Sequence, residues 1–218
     1  MGTSSLVAEH PSLASARDSS VSPARARLLD AIARVSAQRG YAAATVADIV
    51  RAAGVSRSTF YEEFTSKEAL FLESYRHGVD VLVARVAAAV AGAPDWQAQL
   101  RAGVRAYLAA LEDEPQFARA YLLEVHSAGR AALDARAEAL TRFAERYEQT
   151  FAAARREHPG HRRPPKEALL VLCAGTEQLL AERLREREEP SFSGLEDVFC
   201  DCAQSLLHGP APSPRKRK

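Results

Sequence analysis

The sequence predicts an all-α protein of about nine helices. Three observations carry that expectation. Apolar residues recur at i, i+3, i+4 through most of the 218-residue chain, the period of a half-buried helix. The composition is rich in strong helix formers: hydrophobic residues make up 47%, much of it alanine, and Leu, Glu and Arg are plentiful. No segment shows the alternation that marks a half-buried strand.

The elements follow in order. Residues 1–21 are rich in Ser and Ala without a sustained period and read as a disordered arm. Ser22-Pro23 opens the first helix, with Ser as N-cap and Pro at the first helical position. Leu28, Ile32 and Val35 form its buried stripe, Leu29 lies at the edge, and Gly40 ends it. Thr45 caps a short second helix with Val46, Ile49, Val50 and Ala53 on one face, closed by Gly54. Ser56 caps a third, anchored by Phe60 and Phe64. Thr65-Ser66-Lys67-Glu68 has the form of a capping box led by Thr65. The fourth helix follows, with Leu70, Phe71, Tyr75, Val79 and Leu82, and runs to about Ala91.

Gly92-Ala93-Pro94 breaks the pattern. Asp95 caps a fifth helix carrying Leu100, Val104, Tyr107, Leu108 and Leu111. Pro115 opens a sixth with Phe117, Tyr121 and Val125. After Gly129, a seventh spans roughly 130 to 157, with Leu133, Leu140, Tyr147 and Phe151 on one side. A Pro-rich loop from His158 to Pro165 precedes an eighth helix over about 166–187. The ninth, about 194–208, has the stripe Leu195, Val198, Phe199, Cys202, Leu206. Residues 209–218 are Pro-rich, end in Arg215-Lys216-Arg217-Lys218, and read as a disordered basic tail.

Composition excludes several function classes. The net charge of +1 points to no partner. Three cysteines make no disulfide framework and suit a reduced cytoplasm. No His/Cys cluster has ligand spacing on a helix, so neither a metal nor another cofactor is expected. No apolar run approaches the ~20 residues that span a bilayer. No cationic start followed by an apolar block marks a signal peptide. No nucleophile–base pair, paired carboxylates or phosphate loop argues for an enzyme.

What remains is the pair of short helices around Gly54. A helix, a sharp glycine turn and a second helix make a helix-turn-helix. Val55 fills the angle, and Ala52 and Ala53 permit close approach. The outward face of the third helix then offers Arg57, Ser58, Thr59 and Tyr61. Arg pairs with both acceptors of guanine, and Ser and Thr bond bases or phosphates. Thr45 and Lys67 stand at helix starts, where free N–H groups favour a phosphate.

The stretch "GYAAATVADIVRAAGVSRSTFYEEFTSKEALF" resembles the DNA-binding domain of the TetR family of transcriptional regulators. The likeness covers residues 23–75, and the C-terminal half fits only by helix count and length. The resemblance implies a DNA-binding domain over 22–75 and a ligand-binding and dimerisation domain over 76–208. It implies a cytoplasmic homodimer, usually a repressor, released from a palindromic operator by a small-molecule ligand. By position, Arg57, Ser58 and Thr59 are the base-reading residues, and Thr45, Tyr61 and Lys67 the phosphate contacts. Glu63 departs from the family pattern, which often has a DNA-contacting residue there. A pocket is expected among helices four to seven, walled by Trp96, Tyr107, Phe117, Tyr121, His126, Phe143 and Tyr147. Helices eight and nine are expected to pair with a second copy through Leu169, Leu172, Leu179, Leu195, Val198, Phe199 and Leu206.

Charge sharpens the question. Residues 1–75 hold eight Lys/Arg and eight Asp/Glu, so a broad basic footprint is absent. Glu62 and Glu63 also follow the reading residues directly. A helical carrier or protein-interaction module that has lost specific DNA binding is therefore the alternative reading.

Overall fold

The computed structural model describes residues 22–186 and 191–208. Among them stand nine α-helices, one 3₁₀ turn and no strand. The expected arm (1–21) and basic tail (209–218) lie outside the described residues.

Helix α1 (Pro23–Arg39) starts as its sequence demands: the Ser22 side chain accepts from the Arg25 N–H, and Pro occupies the first turn. Leu28, Leu29, Ile32 and Val35 are all buried. Helix α2 (Val46–Ala53) carries a reciprocal capping box, with Thr45 bonded to the Asp48 N–H and Asp48 reaching back to Thr45. Gly54 then turns the chain at φ 63°, ψ 40°, the left-handed region where a side chain is strained. Helix α3 (Arg57–Glu63) follows its Ser56 cap and ends at Phe64. Phe60 and Phe64 are buried, and burying one such ring contributes about 1.5–3 kcal/mol.

Helix α4 (Lys67–Ala91) corrects one expectation. Its cap is Ser66, which accepts from the Ala69 N–H, and not Thr65. The run T-S-K-E offers two hydroxyls, and the one adjoining the first helical residue takes the role. Helix α5 (Trp96–Asp113) is capped by Asp95, and α6 (Pro115–Leu122) is opened by Pro115. Helix α6 stops short of Val125, which lies buried in the 3₁₀ turn Glu124–Ser127. In α7 (Arg130–Glu157) Phe151 of the expected stripe is buried and Leu140 and Tyr147 pack on the core, but at the start of the helix the inward face is Ala132, Ala135 and Ala139, and Leu133 points outward. Small residues there let neighbouring helices close in, so the larger side chain was a poor guide to the core. Helices α8 (Lys166–Glu186) and α9 (Leu195–Ser205) complete the chain, and Leu207 beyond α9 is buried.

Helix α1 packs on α2, α4 and α6, so it touches both the helix-turn-helix and the C-terminal helices. Side chains tie the first helices and their loops to α4, α6 and the 3₁₀ turn. The Ser74 hydroxyl donates to the Leu29 carbonyl at 3.0 Å. Glu124 accepts from the Tyr41 N–H at 2.6 Å. Aromatic rings run between them: Tyr41 on Phe71 (4.8 Å), Tyr75 on Tyr121 (5.4 Å) and Tyr121 on Phe117 (5.5 Å). Helices α4 and α6 meet at Gly78, where an added Cβ would lie 2.0 Å from the Phe117 ring.

Candidate nucleic-acid interface and internal cavity

Helix α3 presents its polar side away from the Phe60–Phe64 anchor. Arg57, Ser58 and Tyr61 are exposed, Tyr61 at 50% despite its size. The Arg57 guanidinium sits 5.7 Å from the Tyr61 ring. The Ser56 hydroxyl lies 2.7 Å from that of Ser58 and 2.8 Å from that of Thr59. These hydroxyls are therefore held together at the N-terminal turn, the end a recognition helix offers to bases.

Glu63 does not join that surface. It pairs with Arg25 at 3.2 Å, and the Ser22 hydroxyl also donates to it. Arg25 binds the Glu63 carbonyl (2.8 Å) and Glu73 as well, and its guanidinium lies 4.2 Å from the Phe64 ring. Hydrogen bonds to Glu73 lead in raising the Arg25 pKa. Glu63 thus locks the end of α3 to the start of α1, while Glu62 faces solvent.

Lys67 also stands differently from its expected phosphate role. Its ammonium donates to the Tyr41 and Ala44 carbonyls, both at 2.8 Å, and lies 4.2 Å from the Tyr41 ring. Burial lowers its pKa. The charge is spent holding the loop before α2. Thr45 is exposed, but its hydroxyl donates to Asp48 at 2.6 Å. That bond, with the Thr45 N–H bond, holds the Asp48 carboxyl below its ordinary value.

A cavity of about 630 Å³, including its opening to solvent, lies among α4, α5, α7, α8 and α9. Tyr107, Phe143 and Tyr147 line it, as expected. Trp96, Phe117, Tyr121 and His126 do not. Trp96 is buried against His161 (5.5 Å), Phe117 and Tyr121 pack between α4 and α6, and His126 is exposed on the 3₁₀ turn. Aromatic spacing found buried faces without telling which faces meet the same void.

The rest of the wall is mainly apolar, with Val86, Val90, Leu100, Val104, Leu140 and Phe199. Five polar wall residues were missed: Gln99, Arg146, Thr150, Thr176 and Glu177. Glu177 had a legible signal, since it interrupts the buried series Leu169, Cys173, Leu180, Leu184 of α8. It is 6% exposed and accepts from the Tyr121 hydroxyl (2.8 Å) and from Arg136 (2.7 Å). Burial raises its pKa, opposed by Arg136 and Tyr121. Burial likewise raises the Tyr107 and Tyr121 hydroxyls well above normal and the Cys173 thiol to about 12, so all three stay protonated.

The residues expected at a dimer contact divide. Leu169, Leu195 and Phe199 are buried in their own chain, and Leu172 and Leu206 are half-buried. Leu179 (41%) and Val198 (43%) are exposed, together with Val171 (72%), which was not expected. In both helices the main apolar stripe feeds the chain's own core, and Val171, Leu179 and Val198 are the large apolar side chains left outside it. Among the described residues, no group of three His, Cys, Asp or Glu is arranged to hold a metal. No helix among them is long and apolar enough to cross a membrane.

Comparison with known proteins agrees with this geometry. Residues 28–74 match the model for "Bacterial regulatory proteins, tetR family". The HTH-type transcriptional activator FasR of Mycolicibacterium smegmatis is 38% identical over 92 residues, 42% of each chain. The HTH-type transcriptional repressor KstR2 of Rhodococcus jostii is 40% identical over 78 residues, 36% of this chain and 38% of that protein. The matches thus span about two fifths of these curated relatives. The fold extends the likeness. The fatty acid degradation regulator FadR from Bacillus halodurans superposes with a TM-score of 0.73 at 18% identity, over 91% of this chain and 99% of that one. FadR from Bacillus subtilis, solved in complex with stearoyl-CoA, gives 0.70 at 16% identity, over 85% and 98%. Over residues 28–74, this chain is thus similar to the bacterial regulatory proteins of the tetR family, and the rest of the chain shares their fold.

Proposed function

We propose that the protein is a cytoplasmic, homodimeric transcriptional repressor that leaves a palindromic DNA operator when a small molecule fills its cavity. The exposed first turn of α3 carries this reading. Arg57, Ser58 and Thr59 stand together there on a helix anchored by two buried rings. Arg57 and Ser58 read base edges in the major groove, with Thr59 beside them. Tyr61 and Thr45 reach phosphates. Lys67 supports the reading head from behind.

The boundary between the DNA-binding part (22–75) and the ligand part (76–208) falls within α4, which spans both. The dimer forms through α8 and α9, where Val171, Leu179 and Val198 leave apolar surface for a second copy. A twofold dimer places two reading heads on two half-sites. The effector has an apolar body, as the cavity wall requires. Stearoyl-CoA, the ligand of the Bacillus subtilis neighbour, is the first molecule to try.

Selection of bound sequences from a random DNA pool tests the whole reading. A palindrome should be enriched, and the enrichment should fall when stearoyl-CoA or another apolar ligand is added. If no sequence is enriched, the carrier or interaction reading replaces this one.

A further inference from the structure

Glu177 is the one carboxylate among the described residues that line the cavity. Each of its oxygens is already held in the buried wall, Oε1 by the Tyr121 hydroxyl and Oε2 by Arg136, so a new donor reaches Oε1 in competition with the neutral Tyr121 hydroxyl. The surrounding wall is otherwise largely apolar, so a ligand group that donates a hydrogen bond would find its best partner here.

The partner on Glu177 Oε1 matters. Tyr121 is near the end of α6, and three residues later Glu124 accepts from the Tyr41 N–H at 2.6 Å. Tyr41 begins the loop that leads into α2, and Lys67 holds the other side of that loop. The short stretch Tyr121–Glu124 therefore touches the cavity wall at one end and the reading head at the other. Farther back, the Phe117 ring fills the space against Gly78, so α6 cannot slide toward α4 there. Movement at the Tyr121 end would pivot about that contact. The Tyr75 hydroxyl, buried beside Tyr121, has no hydrogen-bond partner, so rearranging this cluster does not only lose bonds.

We propose that Glu177 senses the effector: an apolar molecule bearing a hydroxyl or amide N–H takes Glu177 Oε1 from Tyr121, and the freed Tyr121–Glu124 turn releases Tyr41. This rests on the reading of the cavity as an effector site. Such a ligand binds best to the state in which Tyr121 has moved away, and that differential affinity is what a population shift requires.

The test needs no DNA, so it stands apart from the selection experiment. Full-length protein is titrated calorimetrically with 1-decanol and with decyl methyl ether, which lacks the donor. The alcohol should bind about five-fold tighter, the net value of one ordinary hydrogen bond, because it replaces Tyr121 on Glu177 while the displaced Tyr121 hydroxyl has the unpartnered Tyr75 hydroxyl beside it. In the paired substitution Glu177→Met with Arg136→Met, which removes the buried ion pair as a unit, that preference should vanish. Hydrogen exchange at the Tyr41 amide reads the second half. Decanol should speed it about ten-fold in the wild type. In Tyr121→Phe, with the melting transition preserved, exchange should already be fast and decanol should add nothing. Equal binding of alcohol and ether, a preference that survives the paired substitution, or a Tyr41 amide that stays protected throughout would each overturn the inference. Binding of neither molecule would remove the cavity reading and this inference with it. Failure of DNA selection alone would leave it standing.

Discussion

Glu63 and Lys67 show how far a residue's type can mislead about its task. An acidic residue late in a DNA-reading helix looked like an obstacle to phosphates, and a lysine at a helix start looked like a phosphate contact. Both are turned inward. Glu63 is neutralised by Arg25, and Lys67 by two carbonyls and a ring face. Lys67→Met keeps the apolar stem and loses the clamp. It should lower stability by about 1–2 kcal/mol in denaturant unfolding, as expected for hydrogen bonds from a charged group. Unchanged stability with a smaller salt slope of DNA binding would return Lys67 to the phosphate role. Arg57 has no such internal duty among its ring and surface contacts. Arg57→Ala should therefore cost about 1–3 kcal/mol of discrimination at one base position while leaving unfolding unchanged. Competition binding with operator variants measures the first, and thermal melting the second.

At the scale of elements, local chemistry set the starts of helices well. Ser22, Thr45, Ser56 and Asp95 all cap where their sequence positions require. Thr45→Ala should cost about 1 kcal/mol, and circular dichroism on thermal melting would show it. The same cap has a pH dependence with a definite sign. The hydrogen bonds from Thr45, its hydroxyl first, depress the Asp48 pKa below the ordinary 3.8. Its stabilisation is therefore full above 3.8 and fades as pH falls through the lower folded value. An acid titration should show less of this loss in Thr45→Ala than in the wild type. Gly78 makes the opposite point, because helix propensity alone would favour alanine there. The Phe117 ring occupies the space of a Cβ, so Gly78→Ala should destabilise by about 1–3 kcal/mol through overpacking. A gain in denaturation midpoint would show that the ring yields freely.

For the whole molecule, the exposed residues Val171, Leu179 and Val198 mark the face left uncovered by the chain's own core. Val171→Glu together with Val198→Glu should yield a folded monomer in sedimentation, with cooperative binding to a palindrome lost. A dimer that survives both changes would place the subunit contact elsewhere. The cavity draws its walls from five helices, α4, α5, α7, α8 and α9, so its lining spans residues 86 to 199.

The helices, their caps, the glycine turn and the buried anchor of α3 were legible in the sequence, because each depends on residues within one or two turns of one another. The outward set Arg57, Ser58, Thr59 and Tyr61 was legible for the same reason: Phe60 and Phe64 assign the buried side of a single helix. The cavity wall, the inward roles of Glu63 and Lys67, and the split of α8 between core and outer face were decided only by tertiary packing. A hydrophobic period says that a face is covered. Which helix covers it, and whether the two meet flush or leave a void beside Glu177, depends on the shapes of side chains brought together from across the chain.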